Sequence, residues 1–225
     1  SMRRSAKILG VHRTTVKRKF LFLAQNARTF QQETLSHFKE APFVHVQFDD
    51  LITSEHTKMK PLTVSLAVDQ KTRLILGAFV AKIPASGLLA EKSRRKYGRR
   101  KNEHPQALGR LFTQLAPIVH PCALFESDEH KLYPALVTRI IPQALNKTYP
   151  GGRGCVAGQG ELKKLHRDPL FSLNHTCATL RANISRLIRR TWCTTKRADR
   201  LQDHIDLFIQ FHNQEILASI GVNAL

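Results

Sequence analysis

Short apolar runs bounded by polar clusters dominate the middle of the chain, and longer helical periodicities flank them. Phe43-Val44-His45-Val46-Gln47-Phe48-Asp49 predicts a first strand over 43–49, with further strands over 62–68 and 74–80. The Asp69-Gln70-Lys71-Thr72-Arg73 link between the last two is short enough for a hairpin, so an antiparallel meander is expected. A helix over 104–116, a strand at Cys122-Ala123-Leu124-Phe125, a helix from Lys131 to Ile141 and a fifth strand near 145–148 follow. The Gly-rich segment from Pro150 to Pro169 reads as irregular. Two helices, 172–191 and 197–212, close the chain; in the first, Leu173, Cys177, Leu180, Ile184 and Leu187 share a face aimed at a core.

Three strands in tight succession, then helix, strand, helix, strand and helix, is the element order of an α/β ribonuclease H-like fold. It predicts a mixed five-stranded sheet flanked by helices, over residues 41–225. Ahead of it, residues 1–40 read as a partial helix-turn-helix and a helical connector. Ala6, Gly10 and Val16 have the spacing of a helix-turn-helix: a small residue for close packing, a glycine for the turn and a Val to lock the second helix. Arg13, Thr14, Thr15, Lys17 and Arg18 would then face phosphates or base edges. An ordinary basic amphipathic helix is the alternative. The Ser1-Met2 start has the look of a tag remnant, and the opening reads as cut inside a DNA-binding domain.

Composition sharpens this picture. The 225 residues carry 36 Lys and Arg against 17 Asp and Glu, a formal net charge of +19, which points to a polyanionic partner. The densest run is Lys92-Ser93-Arg94-Arg95-Lys96-Tyr97-Gly98-Arg99-Arg100-Lys101, expected to be a mobile loop that clasps a phosphate backbone through Arg94, Arg95, Arg99 and Arg100, or else a solvated linker. No run of ~18 apolar residues spans a bilayer. Cys122, Cys155, Cys177 and Cys193 form no Cys-x-x-Cys pair, which argues against a zinc ribbon or a disulfide scaffold and suggests small core residues in a reduced, cytoplasmic (nucleoid-associated) setting.

Carboxylates are scarce in so basic a chain, and two groups of them follow strands: Asp49-Asp50, and Glu126-Ser127-Asp128-Glu129. In a ribonuclease H-like sheet the first and fourth strands are parallel neighbours, which would bring Asp49 and Asp128 together. Two such carboxylates repel and raise one another's pKa, and a divalent cation relieves the repulsion. Mg²⁺ or Mn²⁺ so held supports phosphoryl transfer. The alternative is that Asp49 caps a loop and Asp128 N-caps a helix. Asp50 is expected on the opposite side of the strand, as a backup ligand or a solvent-exposed residue; Glu126 and Glu129 are second choices.

Asp49, Ser127-Asp128 followed by Tyr133, and above all the stretch Leu173-Asn174-His175-Thr176-Cys177-Ala178-Thr179-Leu180-Arg181 continuing to Arg189-Arg190, resemble DDE-type transposases of the insertion-sequence-1 group. The resemblance runs from residue 43 through Lys196 to His212-Asn213 and is weaker over 82–110. It implies two Asp and a Glu holding Mg²⁺, cleavage of double-stranded DNA at element ends, and transfer of the freed 3′ hydroxyl to target DNA by a homodimer or larger assembly. It also implies an upstream zinc ribbon and helix-turn-helix. Asn174 stands where that family's pattern puts its Glu. Its amide oxygen can ligate Mg²⁺ without contributing charge, His175 could give a nitrogen or shuttle a proton, and Glu161 is a lower-ranked third ligand. Arg181 and Arg189 on the same helix are expected to contact DNA phosphates, with a solvated outer helix face as the alternative. Trp192 is expected to anchor the core, with base stacking as the alternative. A catalytically silent DNA-binding protein, and a ribonuclease H-like nuclease of another kind, are the competing functions.

Overall fold

The computed structural model describes residues 2–150, 168–188 and 192–221. Five strands, β1 (Phe43–Ser54), β2 (Pro61–Asp69), β3 (Ile75–Lys82), β4 (Val119–Asp128) and β5 (Leu145–Tyr149), form one sheet in the order β3-β2-β1-β4-β5. β1, β2 and β3 pair antiparallel, whereas β4 is parallel to β1 and β5 parallel to β4. The helices are α1 (Met2–Ile8), α2 (Arg13–Ser36), α3 (Ala90–Tyr97), α4 (His104–Leu115), α5 (Tyr133–Ile140), α6 (Phe171–Asn183) and α7 (Ala198–Ser219). This is an α/β architecture with a mixed five-stranded sheet, compatible with a ribonuclease H-like fold.

Strand alternation sends side chains to two cores. Val46, Phe48 and Phe125 pack with Leu111, Phe112 and Tyr133 of α4 and α5 on one face. On the other, Leu51, Val64 and Leu66 pack with Leu173 and Leu180 of α6 and Leu201 and Ile205 of α7. α2 is fastened to α7: Ala24 and Ala27 are buried, and Arg28 bridges Asp203 and Asp206.

The outer edge of β3 is closed by side-chain amides. Gln202 accepts from Val80 N at 2.8 Å and donates to Ala78 O at 2.9 Å, as a neighbouring strand would. Asn213 does the same for Ile75, at 2.9 Å in both directions. Gln114 donates to Leu76 O at 2.7 Å, and Gln31 to Ile75 O at 2.8 Å. Gly77 keeps room for this: a Cβ there would stand 2.7 Å from Leu111 Cδ1 and 3.1 Å from Gln114 Nε2. Unpaired strand edges invite association with other chains, and this one is covered.

Element ends depart from the sequence-based reading: β4 spans Val119–Asp128 and α7 runs on to Ser219. β1 continues five residues past Asp49, because Leu51 is buried in the α6–α7 core and β2 pairs with the strand through Ser54. α6 stops at Asn183, since Ile184 takes an extended conformation (φ −99°, ψ 100°). Ile184 and Leu187 are nevertheless buried, so the apolar stripe reaches its core through a turn instead of a helix. The basic run is partly helical: α3 carries Lys92 to Lys96, ends at Gly98 (φ 76°), and is held by Ser93 Oγ donating to Met59 O at 2.7 Å.

At the N-terminus, Gly10 (φ 61°) follows α1 and Val11 N donates to Ala6 O at 3.1 Å, a glycine-terminated helix end. α2 then runs 24 residues without a break, merging the predicted second helix with the connector. No helix among the described residues is long and apolar enough to cross a membrane.

Candidate active site

Asp49 and Asp128 are brought together by register. β1 and β4 pair at Val46–Phe125 and Gln47–Glu126, and the two aspartates each stand two residues further along, on one face of the sheet. Burial, with the charges of Asp128 and Asp50 adding to it, pushes the Asp49 carboxyl up to about 6, against the opposing Asp50 N–H and Tyr133 hydroxyl. Asp128 ends β4, and its Oδ1 accepts from His130 N at 3.1 Å. The backbone hydrogen bond from Asp50 N to Asp49 Oδ1, 2.7 Å, fixes one oxygen of the first carboxylate.

Asp50 does face away from Asp128, as alternation predicts, but solvent does not reach it: its side chain is 9% exposed. Its Oδ1 accepts from Thr63 Oγ1 (2.8 Å) and Ser65 Oγ (2.6 Å), its Oδ2 accepts from Tyr133 Oη (2.6 Å), and His104 Nε2 stands 2.5 Å from the same Oδ2. Burial favours the protonated acid, yet the bonds from His104, Ser65 and Tyr133 outweigh it and hold Asp50 below the ordinary carboxyl value. Tyr133 Oη also lies 3.2 Å from Asp49 Oδ1. Burial and the charges of Asp50 and Asp49 push the phenol far up, so it stays a donor.

Glu126 makes a second buried network, one layer before the aspartates. It accepts from Tyr149 Oη (2.6 Å) and Gln47 Nε2 (2.9 Å), and faces His45 Nε2 at 2.8 Å. These bonds overcome burial and depress its pKa. Glu126 is therefore occupied in holding β4 to β1 on one side and β5 on the other. Sequence reading missed the partners His104, Gln47 and His45, because nothing local marks a residue that will meet a distant carboxylate.

α6 crosses this face. Leu173 N donates to Gln47 Oε1 at 3.2 Å, and Gln47 Nε2 to Pro169 O at 2.7 Å. Asn174, Cys177 and Arg181, at i, i+3 and i+7, share one helical face. Cys177 marks where that face meets the aspartates: burial and the charge of Asp49 push its thiol up to about 12, while Arg181 pulls it down. Asn174 Nδ2 donates to Asp168 Oδ2 at 2.9 Å, which orients the amide and leaves Oδ1 without a donor among the described residues. Asp168 was not singled out in the sequence. His175 turns elsewhere, with Nδ1 3.3 Å from Arg73 Nη1 at the β2–β3 turn; that turn adjoins Val46, which pairs with Asp69, three residues before Asp49.

The basic candidates divide. Arg13, Thr14, Lys17 and Arg18 are exposed on α2, and Arg94, Arg95 and Arg99 on and after α3, of which Arg99 is exposed together with Lys101 beside a cleft of about 740 Å³. Arg100 differs: its side chain is 13% exposed and donates to Glu55 Oε1 at 3.3 Å, an internal ion pair. Arg189, Arg190 and Glu161 lie outside the described residues. Trp192, expected in the core, is fully exposed at 102%. Cys122 and Cys193 are likewise exposed, not core residues.

Among the described residues no group of three or more His, Cys, Asp or Glu is placed to hold a metal ion. What is present is a carboxylate pair and, on the helix above it, an amide oxygen and a guanidinium. Two carboxylates in a partly buried place, with Asp49 raised by burial and further by the charge of Asp128, fit a divalent cation better than they fit one another. Comparison with protein-family models, curated proteins and solved structures finds no match in any of the three.

Proposed function

We propose that this chain is a DNA-cleaving and strand-transferring enzyme core of the DDE transposase type, acting with Mg²⁺ or Mn²⁺. One observation carries the reading: Asp49 and Asp128 stand in matching register positions on neighbouring parallel strands, where the charge of Asp128 adds to the burial that raises Asp49. The net charge of +19 and the exposed cations of α2 and α3 support a nucleic-acid partner.

Asp49 Oδ2, Asp128 and Asn174 Oδ1 are the atoms that would hold the cation. Bound there, it would supply Lewis-acid activation of a hydroxyl and charge stabilisation at a phosphate. The protein's own part is positional. The Asp50 N–H and Tyr133 fix the rotamer of Asp49, Asp168 orients Asn174, and Arg181 offers a guanidinium to a phosphate oxygen on the same side. The helix pair at the N-terminus, with Arg13, Thr14, Lys17 and Arg18 outward, fits a contact with duplex DNA, and paired element ends call for a homodimer or larger assembly.

A second reading is a DNA-binding protein without catalysis, favoured by the neutral amide of Asn174 where a third carboxylate is expected. Mn²⁺ titration followed by electron paramagnetic resonance, together with nicking of end-labelled duplex, separates the two. The enzyme reading expects Mn²⁺ binding that Asp128→Ala abolishes, and cleavage lost in the same variant. Absence of both in the parent protein overturns it in favour of the second.

A further inference from the structure

Beyond its last pairing with β4, β1 runs on toward the loop at Glu55, and a cleft of about 430 Å³ opens between this part of the strand and the turn that follows α6. Arg181, Arg186 and Lys58 line it. Its one carboxylate among the described residues, Glu55, is already neutralised by Lys60 at 2.5 Å and Arg100 at 3.3 Å. The three cations therefore act on whatever enters. The walls are partly apolar: Ile52 and Ile188 are 56% and 43% exposed there. The volume lies in the roughly 300–1,000 Å³ span of small-molecule sites. Apolar walls with a cationic lining suit a ligand that is flat and apolar at one end and anionic at the other, which describes a nucleotide.

Trp192 supplies an independent observation. Arg186 Nη1 donates to Thr194 O at 3.1 Å, which ties the segment carrying Trp192 to the cleft wall, since both residues line the cleft. Trp192 is the only tryptophan of the chain and stands wholly in solvent. An indole usually removes ~150–250 Å² from water; here it is left open, two residues before the Thr194 carbonyl that Arg186 holds, and an exposed aromatic of this kind stacks on bases. The cleft also adjoins Asp49 along the chain, since Ile52, Thr53 and Ser54 of the same strand line it and Arg181 shares a helical face with Asn174.

We infer that this cleft receives one unpaired nucleotide of a DNA strand next to the carboxylate pair. Its phosphate lies between Arg181 and Lys58, its base against Ile52 and Ile188, and Trp192 stacks on the adjoining base. The inference rests on DNA being the partner, as proposed above, and not on metal chemistry.

Because Trp192 is unique, its fluorescence reports directly. The protein is titrated, in EDTA, with a blunt duplex and with the same duplex carrying a short single-stranded DNA extension. The extended duplex is expected to quench Trp192 at about tenfold lower concentration, the size of one stacking contact. Arg181→Ala and Lys58→Ala, both changes at the cleft surface, are expected to erase most of that preference. With fluorescently labelled DNA and anisotropy as the readout, Trp192→Ala should lose the preference and Trp192→Phe keep part of it. Equal quenching by both duplexes, or an unaltered preference in Arg181→Ala, overturns the inference. A stronger response to an RNA extension overturns the assignment to DNA. Binding without preference removes the cleft alone, binding to no DNA removes the partner, and neither outcome depends on whether Mn²⁺ binds.

Discussion

The hydroxyl of Tyr133 donates to Asp50 at 2.6 Å, and the same oxygen stands 3.2 Å from Asp49. One phenol thus ties together two consecutive carboxylates that strand alternation sends to opposite faces. Asp49 is left facing Asp128 with one oxygen fixed and the other open, while Asp50 is consumed by three donors and His104. Two adjacent aspartates have unlike roles because of what each meets across the sheet.

Tyr133→Phe keeps the ring in the core and removes only the hydroxyl. Asp50 Oδ2 is then left with His104 alone. The expected loss is about 1–3 kcal/mol of stability in urea unfolding, the worth of one hydrogen bond to a buried charged group. The midpoint should move with little change in slope.

Asp49 makes stability depend on pH. Its folded value of about 6 lies above the ordinary 3.8, so the native state binds the proton more tightly than the unfolded chain. The sign follows: this contribution is fully present below about pH 4 and is lost as pH rises through about 6. Asp49→Asn should therefore be more stable than the parent at pH 7.5, by on the order of 2–3 kcal/mol, with a difference that closes toward pH 4. Urea unfolding at the two pH values checks this, and millimolar Mn²⁺ should narrow the gap at the higher one.

The amide-closed edge of β3 predicts an ordering of variants. Asn213 is 1% exposed and serves both the N–H and the C=O of Ile75, so Asn213→Ala is expected to cost about 2–4 kcal/mol. Gln202→Ala, in a less buried place, should cost about 1–2 kcal/mol and raise light scattering at high concentration as Ala78 and Val80 are uncovered. Gly77→Ala should cost about 1–3 kcal/mol, because the added methyl meets Leu111 and Gln114. Thermal unfolding of the three variants checks the order.

Within the basic run, neighbouring arginines should behave differently. Arg99→Ala is expected to weaken DNA binding and reduce the slope of log K against log salt by about 1, without a stability change. Arg100→Ala removes an internal partner of Glu55 and should lower the melting temperature with a smaller effect on that slope. Salt-dependent anisotropy and thermal unfolding, run on both variants, tell them apart.

Much of the fold was legible because local patterns carry it. The meander from Phe43 to Lys82, α4 and the Leu173–Leu187 stripe all announce themselves by period, and the element order alone predicted β1 and β4 as parallel neighbours. The matching register of Asp49 and Asp128 was legible by the same route. Helix and strand ends were less legible, because burial decides them: Leu51 extends β1, and Ile184 reaches its core after α6 has ended. Trp192 was misjudged for the same reason, since hydrophobicity states a preference and only packing shows whether a core has room for it.

The sequence by itself determined the order and type of the elements, the cationic character of the surface and the two aspartates worth pairing. These follow from composition and from periods of two and 3.6, which neighbouring residues set among themselves. Tertiary structure alone decided that Asp50 is locked by His104, Thr63, Ser65 and Tyr133, that Glu126 clamps β1 to β4, that Arg100 turns inward and that Gln202 and Asn213 finish an edge. Each is a bond between residues far apart in the chain, and the partner of a polar group is chosen by which groups folding strands together away from water.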